Sequence, residues 1–516
     1  MFTLNLTSPL WHHSANLYVR GYAFLPDGRL LHDDALASYM DVADEDEWTV
    51  RLKSLNGIYA IIRNAEDFAA AAIDISRLFP IFFRHDAETL LVSDDPYTLI
   101  RKGDKESQLG VAQYLASGNT FDGYTLIDGI HQLRPAEYIT ANGHHASTFS
   151  LCVPRADIHA SSPDDFTTCL DHVFSRLIQS LDGRQVVIPL SGGYDSRLIA
   201  CLLHKHGYKN VICFTAGVPN NVEVQISPKI AETLGFKFYE IDTTDPDLAA
   251  LITTSNPDFV RYYEHIAAAT NFQWLFEYVA VIRLRQLNAL APDAVFIPGH
   301  SADGSAGSCI TRALIRSNDT LNYMTSAVLH DYFEYGGGKS LRPCVTDCLK
   351  RTYTKDVATW SVFQDFITRD VNAPKINNSA RVYEFFGYEV RLPYYDHEFL
   401  NFFAHLPLEC LTQCRFYVDY VNDKVFKPMG VYFPRTSLTP RQYKIAKLRK
   451  RIKPFIPSFL LNLKAPITDH VGEFPLSVNL RHDLDNVYGA KTYRRSNQLL
   501  RDWYLLTLRQ LLKEPI

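Results

Sequence analysis

Short apolar runs broken by turn residues mark the first 150 positions. "NGIYAIIRN", "FAAAAIDI", "PIFFRHD" and "TLLVSDD" predict strands of an antiparallel assembly. "HQLRPAEYITANGHHASTFSL" adds strands around a turn at Asn142 and Gly143. Near Ser161 the period changes. "SPDDFTTCLDHVFSRLIQSL" opens on Ser-Pro-Asp-Asp and places apolar residues at three- and four-residue steps, which predicts a capped helix. In the stretch that follows, Val186, Val187, Ile188 and Leu190 predict a strand covered on both faces. Leu198, Ile199, Leu202 and Leu203 then predict a helix starting near Ser196. "NVICFTA" reads as a second strand and "VQISPKIAETLG" as a helix ending at a glycine. That alternation is the signature of a doubly wound α/β fold. From about 255 to 430 the pattern is mostly helical, without repeats or low-complexity tracts.

A length of 516 residues is enough for two to three cores, and the change of period divides the chain into 1–150 and 151–516. With 47% hydrophobic and 21% charged residues the composition is that of a soluble globular protein. No apolar run reaches the roughly 18 residues of a membrane span, and the first residues lack a basic start with an apolar core. A cytoplasmic protein is expected. The net charge of −5 offers no electrostatic reason to bind nucleic acid. The sequence leaves the oligomeric state open, with a dimer compatible. Nine cysteines form no disulfide framework. Cys344 with Cys348 and Cys410 with Cys414 sit four apart, without the two-residue gap or second ligand pair of a metal site, so thiols in a reducing compartment are expected.

The strand at 186–190 runs into "SGGYDS". Strand, glycine turn and helix together point backbone N–H groups and a helix N-terminus at an anion. Gly192 and Gly193 let backbone approach closely and are expected to take up positive φ, and Ser191 and Ser196 add hydroxyl donors. Asp195 would repel a phosphate directly, so its expected use is to hold Mg²⁺ bridging phosphates. A second small-residue stretch, "YGGGKS" at 335–340, fails as a phosphate-binding P-loop, because Phe333 stands where the first glycine must be and no strand precedes.

"SGGYDS" resembles the pyrophosphatase loop S-G-G-x-D-S of the N-type ATP pyrophosphatases. "AVFIPGHSADGSAGS", residues 294–308, is similar to the asparagine synthetase loop S-G-x-G-x-D-E, with Gly299 on the glycine that contacts the nucleotide and Asp303 on the aspartate that serves magnesium. "GYEVRLPYYDHEFLNFFAHLP", residues 387–407, resembles the signature E-V-R-x-P-x-x-D-H through Glu389, Arg391, Pro393, Asp396 and His397; it is either an orienting charged network or a direct substrate contact. "LNGIYAI", "DISRLFPIFF", "LVSDDPYTLI" and "LIDGIHQLRPAEYI" follow the glutaminase domain of class II amidotransferases. The chain thus resembles the asparagine synthetase family over nearly its whole length.

The resemblance implies a glutaminase-like β-sandwich over 1–150 and an α/β parallel-sheet synthetase domain with a helical C-terminal part over 151–516. It implies MgATP as cofactor and a small-molecule carboxylate, activated as its adenylate with release of pyrophosphate and attacked by ammonia or an amine. Ser191, Gly192, Gly193 and Ser196 would bind pyrophosphate, Asp195 and Asp303 Mg²⁺, and backbone near Phe214 and Gly299 the nucleotide. An asparagine-like amide is the default product. Amidation of a larger acceptor (a uronic acid of a surface polysaccharide, a peptide, a β-amino acid) and non-catalytic nucleotide binding are the alternatives.

Three departures qualify the resemblance. Position 2 is Phe2, where the family's glutaminase carries its nucleophilic cysteine, and no cysteine precedes Cys152, so no glutamine hydrolysis is expected. β-Lactam synthetases and lasso-peptide cyclases share that loss. His300 replaces a glutamate of the second loop and is either a catalytic base on the amine or a residue that hydrogen-bonds the loop. "PGHSxD" also looks like the loop of asparagine-synthase-like proteins that accompany bacterial surface-polysaccharide synthesis. The family's catalytic lysine has no clear counterpart, with Lys424, Lys427 and Lys444 as candidates. Finally, residues 434–454 carry eight basic residues and no acidic one, with Ile445, Leu448 and Ile452 on one face: a solvated face or a weak membrane-surface contact.

Overall fold

The computed structural model describes residues 1–86, 89–219, 222–310, 320–333, 335–433, 472–489, 493 and 495–513. The basic segment 434–454, and Lys444 within it, lie outside the described residues.

The strands anticipated in the first 150 residues form two sheets. The larger runs His145–Ser147, Glu137–Thr140, Ala69–Ile73, Asn56–Asn64, Leu17–Phe24 and His12–Ser14 in order, with Leu30–His32 added beside Leu17–Phe24. The smaller holds Phe2–Asn5, Thr89–Ser93, Phe82–Asp86 and His131–Gln132. Phe2–Asn5 pairs with Leu90–Ser93 in parallel, which the antiparallel expectation did not include. Period-two alternation explains the layering. Ala60 and Ile62 join Phe2, Ile73, Ile81 and Val92 in one apolar cluster, whereas Tyr59 and Ile61 join Leu36, Met40, Trp48 and Leu52 in another. The latter four come from helices Asp33–Met40 and Glu45–Ser54, a layer the alternating pattern of the strands did not announce.

The helix expected after Ser161 spans Pro163–Leu181. Its start is a full capping box. Ser162 Oγ accepts from the Asp165 N–H at 3.1 Å, and the Ser162 N–H donates to Asp165 Oδ2 at 2.7 Å. A five-stranded parallel sheet follows, in the order Lys237–Asp242, Val211–Gly217, Val186–Pro189, Val295–Phe296, Glu389–Val390. Val186 and Ile188 enter one apolar cluster and Val187 another, so the central strand is buried on both faces as its unbroken apolar run requires. The chain first builds outward from this strand through 211–217 and 237–242, then returns to its other side with 295–296. That reversal is a topological switch point, where open α/β sheets leave a crevice beyond the strand ends.

The two parts of the chain share a core. Ile58, Ile75, Phe82 and Leu126 lie in one cluster with Val187, Phe214, Phe296 and Trp503. Helix Ser496–Leu511 fastens this junction: Tyr504 OH lies 2.5 Å from Tyr97 OH, Tyr114 OH donates to the Arg501 carbonyl at 3.0 Å, and Arg509 Nε reaches Glu106 Oε1 at 2.5 Å. Among the described residues no helix is long and apolar enough to cross a membrane.

Candidate active site

Both motif loops leave the two strands that flank the switch point. Residues 190–193 follow strand Val186–Pro189, and 297–301 follow Val295–Phe296. Helix Tyr194–Lys205 begins directly after the first loop, two residues earlier than its apolar pattern suggests. Its N-cap is Gly193, which has no side chain to satisfy the first-turn N–H groups. A helix N-terminus without a side-chain cap at the end of a buried strand presents backbone N–H groups of the kind that can bind an anion.

Gly193 acts by size and not by handedness. Gly193 has φ −71°, and neither it nor Gly192 belongs to the positive-φ glycines, so the expected left-handed backbone is not used. A Cβ at Gly193 would sit 3.1 Å from Ser191 Oγ, crowding the loop floor. The serine hydroxyls hold the loop from within. The Ser191 N–H donates to Ser196 Oγ at 3.0 Å, the two hydroxyls lie 3.2 Å apart, and the Gly193 N–H donates to Ser191 Oγ at 3.2 Å. Buried Arg197 closes the loop's back, donating to the Gly192 carbonyl at 2.7 Å and to the Val431 carbonyl at 3.2 Å. Phe214 turns its ring into the core, and its carbonyl accepts the Leu190 N–H at 2.8 Å.

The second loop packs onto the first through Gly299. A Cβ there would lie 2.4 Å from Ser196 N and 2.8 Å from Ser196 Cα, so only glycine admits this approach. Ser301 has φ 71°, a left-handed non-glycine residue between His300 and Asp303. Backbone held in that region costs on the order of 1 kcal/mol and concentrates at functional sites.

Asp195 is where the two loops meet. Its Oδ2 accepts the Asp303 N–H at 3.2 Å and its Oδ1 accepts Tyr417 OH at 2.9 Å, while Tyr394 OH donates to its carbonyl at 2.7 Å. Burial, and then the neighbouring Asp303 charge, push the Asp195 carboxyl up to about 7. Asp303 itself is exposed. A carboxylate bound to the backbone of a second aspartate, beside a helix N-terminus without a side-chain cap, offers hard oxygen of the kind Mg²⁺ accepts. Tyr417 and Tyr394 were not anticipated. Tyr394 stands at an unassigned position of the third block, and Tyr417 lies in a helix with no motif to mark it.

His300 is held at the loop with Nδ1 buried and unpartnered among the described residues, and burial lowers its pKa to about 4. It is a neutral imidazole at neutral pH and a weak base. The third block divides cleanly. Asp396 accepts Arg176 Nε and Nη2 at 2.8 and 2.9 Å and caps helix His397–Ala404 through the Glu398 N–H at 2.9 Å. His397 stacks on Phe149 with centroids 4.0 Å apart, and Glu389 accepts from both Arg184 and Arg391. These contacts support the orienting-network reading of the block. Lys424 is exposed beside Tyr420 and Asp423, lining a cavity of about 290 Å³ on that helical segment, and Lys427 pairs with Asp423 at 2.5 Å. Neither is joined to the two loops by a contact among the described residues.

The cysteine pairs differ from expectation in one respect. Asp122, remote in sequence, joins Cys344 and Cys348, their ligand atoms lying within 4.8 Å of one another. Cys414 instead donates its thiol to the Asp303 carbonyl at 3.4 Å.

No curated protein matches the chain. Residues 177–290, which carry strands Val186–Pro189, Val211–Gly217 and Lys237–Asp242 with the first loop and its helix, match the family model of asparagine synthase. The match covers about a fifth of the chain, and over that stretch the protein is similar to asparagine synthase.

Proposed function

We propose that the protein activates a carboxylate as its acyl-adenylate and forms an amide when ammonia or an amine displaces AMP, with an asparagine-like amide as the default product. The observation that carries this reading is the hydrogen bond from the Asp303 N–H to Asp195 Oδ2, which brings both motif loops to one point at the switch of the sheet.

MgATP, when bound, supplies the phosphoanhydride whose α–β cleavage leaves pyrophosphate and an activated acyl group. The residues present fit it: Asp195 and Asp303 offer hard oxygens that would hold a divalent cation, whose charge would offset the burial and the Asp303 repulsion that raise the Asp195 pKa. The uncapped N-terminus of helix Tyr194–Lys205, with the hydroxyls of Ser191 and Ser196, receives the pyrophosphate. Ser191 Oγ, which accepts the Gly193 N–H, would turn its own hydroxyl proton toward a phosphate oxygen. Tyr417 and Tyr394 fix Asp195, so little reorganisation accompanies the charge that develops at the α-phosphorus. Neutral His300 hydrogen-bonds the bound acyl group or amine through Nδ1 and orients it, and the amine enters as its free base.

The test is pyrophosphate release across candidate carboxylates, with ammonium or amine as acceptor. Carboxylate-dependent release supports the reading, and ATP turnover that no carboxylate stimulates overturns it. Release with uronic acids or peptides in place of small amino acids moves the substrate to the larger-acceptor class. Residues 1–150 are proposed to serve as a scaffold of glutaminase type without hydrolytic activity. Phe2 supports this, because its side chain fills the cluster between the two sheets and Asn64 binds both its N–H and its carbonyl, at 2.7 and 3.2 Å.

A further inference from the structure

We propose that Cys344, Cys348 and Asp122 form a binding site for a borderline-soft divalent cation of the zinc class, separate from the site of the two loops. Cys344 and Cys348 lie one turn apart on helix Arg342–Lys350, so both thiols leave the same face. Paired ligands at this spacing on a helix are a known way to hold zinc, with histidines in the best-attested case. Asp122 comes from the loop between helix Gln108–Ser117 and strand His131–Gln132 and completes a set of three donors within 4.8 Å of one another. Tetrahedral bonds of about 2.3 Å to sulfur and 2.0–2.2 Å to oxygen put ligand atoms about 3.5 Å apart, so closing on a cation requires a contraction of at most about 1.3 Å.

The surroundings suit such an ion. Asp122 has φ 58°, and its N–H donates to Asp370 Oδ1 at 3.0 Å, which fixes the direction of its carboxylate. Gln113 Nε2 donates toward Cys344 Sγ at 3.7 Å, the kind of outer contact that steadies a thiolate ligand. Two thiolates and one carboxylate carry three negative charges, so the bound dication leaves one. Arg351, which grips both Asp122 oxygens, and Arg134, 3.9 Å from the same carboxylate, offset it. Arg351 is 48% exposed and yields one oxygen while keeping the other. Binding displaces one proton from each thiol to solvent. Three protein donors leave one position for water.

The cation would join the turn at Asp122 to the helix of Cys344, across the junction between the two parts of the chain. The test uses the reduced, chelator-treated full chain titrated with Co²⁺ and then Zn²⁺. One equivalent of Co²⁺ should produce a thiolate-to-metal absorption that Zn²⁺ bleaches. It should be absent in Cys344→Ser and Cys348→Ser, weakened at least tenfold in affinity in Asp122→Asn, and unchanged in Cys410→Ser. In the unaltered protein, Zn²⁺ should also block alkylation of Cys344 and Cys348 as read by mass spectrometry, a measurement that does not depend on the variants folding. No thiolate band, a band that survives Cys344→Ser, or alkylation indifferent to Zn²⁺ would each overturn the proposal.

Discussion

The Asp303 N–H donates to Oδ2 of Asp195 across 3.2 Å, joining residues 108 positions apart in the chain. Neither loop alone could create this contact. It depends on the two strands being neighbours at the centre of the sheet and on Gly299, which lets the loops pack without a side chain between them.

Asp195→Asn should therefore separate stability from function. A carboxyl raised to about 7 binds its proton more readily folded than unfolded. Its stabilising contribution is present in full below the ordinary carboxylate range and is lost as the pH climbs toward 7. The neutral amide removes that penalty. At pH 8 without Mg²⁺ and ATP, Asp195→Asn should be as stable as the parent or more so, by on the order of 1 kcal/mol, while pyrophosphate–ATP exchange falls by at least a hundredfold. A variant that melts lower at pH 8 and retains exchange would contradict the assignment of Asp195.

Gly299→Ala tests the packing of the loops. The added methyl would sit 2.4 Å from Ser196 N and 2.8 Å from Ser196 Cα, so backbone must move. Overpacking of this kind costs about 1–3 kcal/mol. Thermal unfolding should report that loss, and ATP binding should weaken by more than the stability change accounts for, because the displaced atoms belong to the proposed anion site. Unaltered nucleotide affinity would show that the second loop does not frame the ligand.

Tyr417 and Tyr394 touch the same residue in different ways, which makes a controlled pair. Tyr417 OH donates to the carboxylate and Tyr394 OH to the backbone carbonyl. A donor to the carboxylate favours its charged form, so Tyr417→Phe should raise the Asp195 pKa further and move the acidic limb of the activity profile to higher pH. Tyr394→Phe should lower activity by disturbing the position of Asp195 and leave that limb in place. Identical displacement of the limb in both variants would be inconsistent with this geometry.

Much of this arrangement was legible beforehand, for physical reasons that differ from residue to residue. The apolar run Val186–Ile188 announced a strand buried on both faces, and the Ser162–Asp165 spacing announced a helix start, because both are local patterns. The helices Asp33–Met40 and Glu45–Ser54 escaped notice because each buries few side chains against a sheet whose own alternation dominates the pattern. Gly192 and Gly193 do not take up the left-handed backbone expected of them, and at Gly193 a side chain would crowd Ser191 Oγ. Tyr417 and Asp122 could not have been found from spacing, since their partners are remote in the chain and only the folded sheet and helices bring them together.

His300 should not titrate in the neutral range. Burial lowers its pKa to about 4, so the imidazole is neutral above that value, and the stability this confers is present above the ordinary histidine pKa and lost as the pH falls toward 4. The profile of amide formation should show no step near 6.5 that disappears in His300→Ala. Instead His300→Ala should slow amide formation more than adenylation, and His300→Asn, which keeps a hydrogen-bonding group, should recover part of the loss. A step near 6.5 that the alanine variant removes would restore the base role.

Glutamine should not serve as nitrogen donor. Hydrolysis of its side-chain amide by a terminal nucleophile needs a thiolate free to attack, and residue 2 instead places a phenyl ring, 6% exposed, among Ile62, Ile81 and Val92 between the sheets. Asn64 occupies the backbone polar groups of the same residue. Phe2→Ala should empty that space and cost about 3 kcal/mol in thermal or denaturant unfolding, the usual loss for a buried aromatic, without changing the donor used. Product should form with ammonium or an amine-bearing substrate and not with glutamine. Glutamate release above background from the purified chain, abolished by a substitution within residues 1–150, would show that a hydrolytic centre exists there after all.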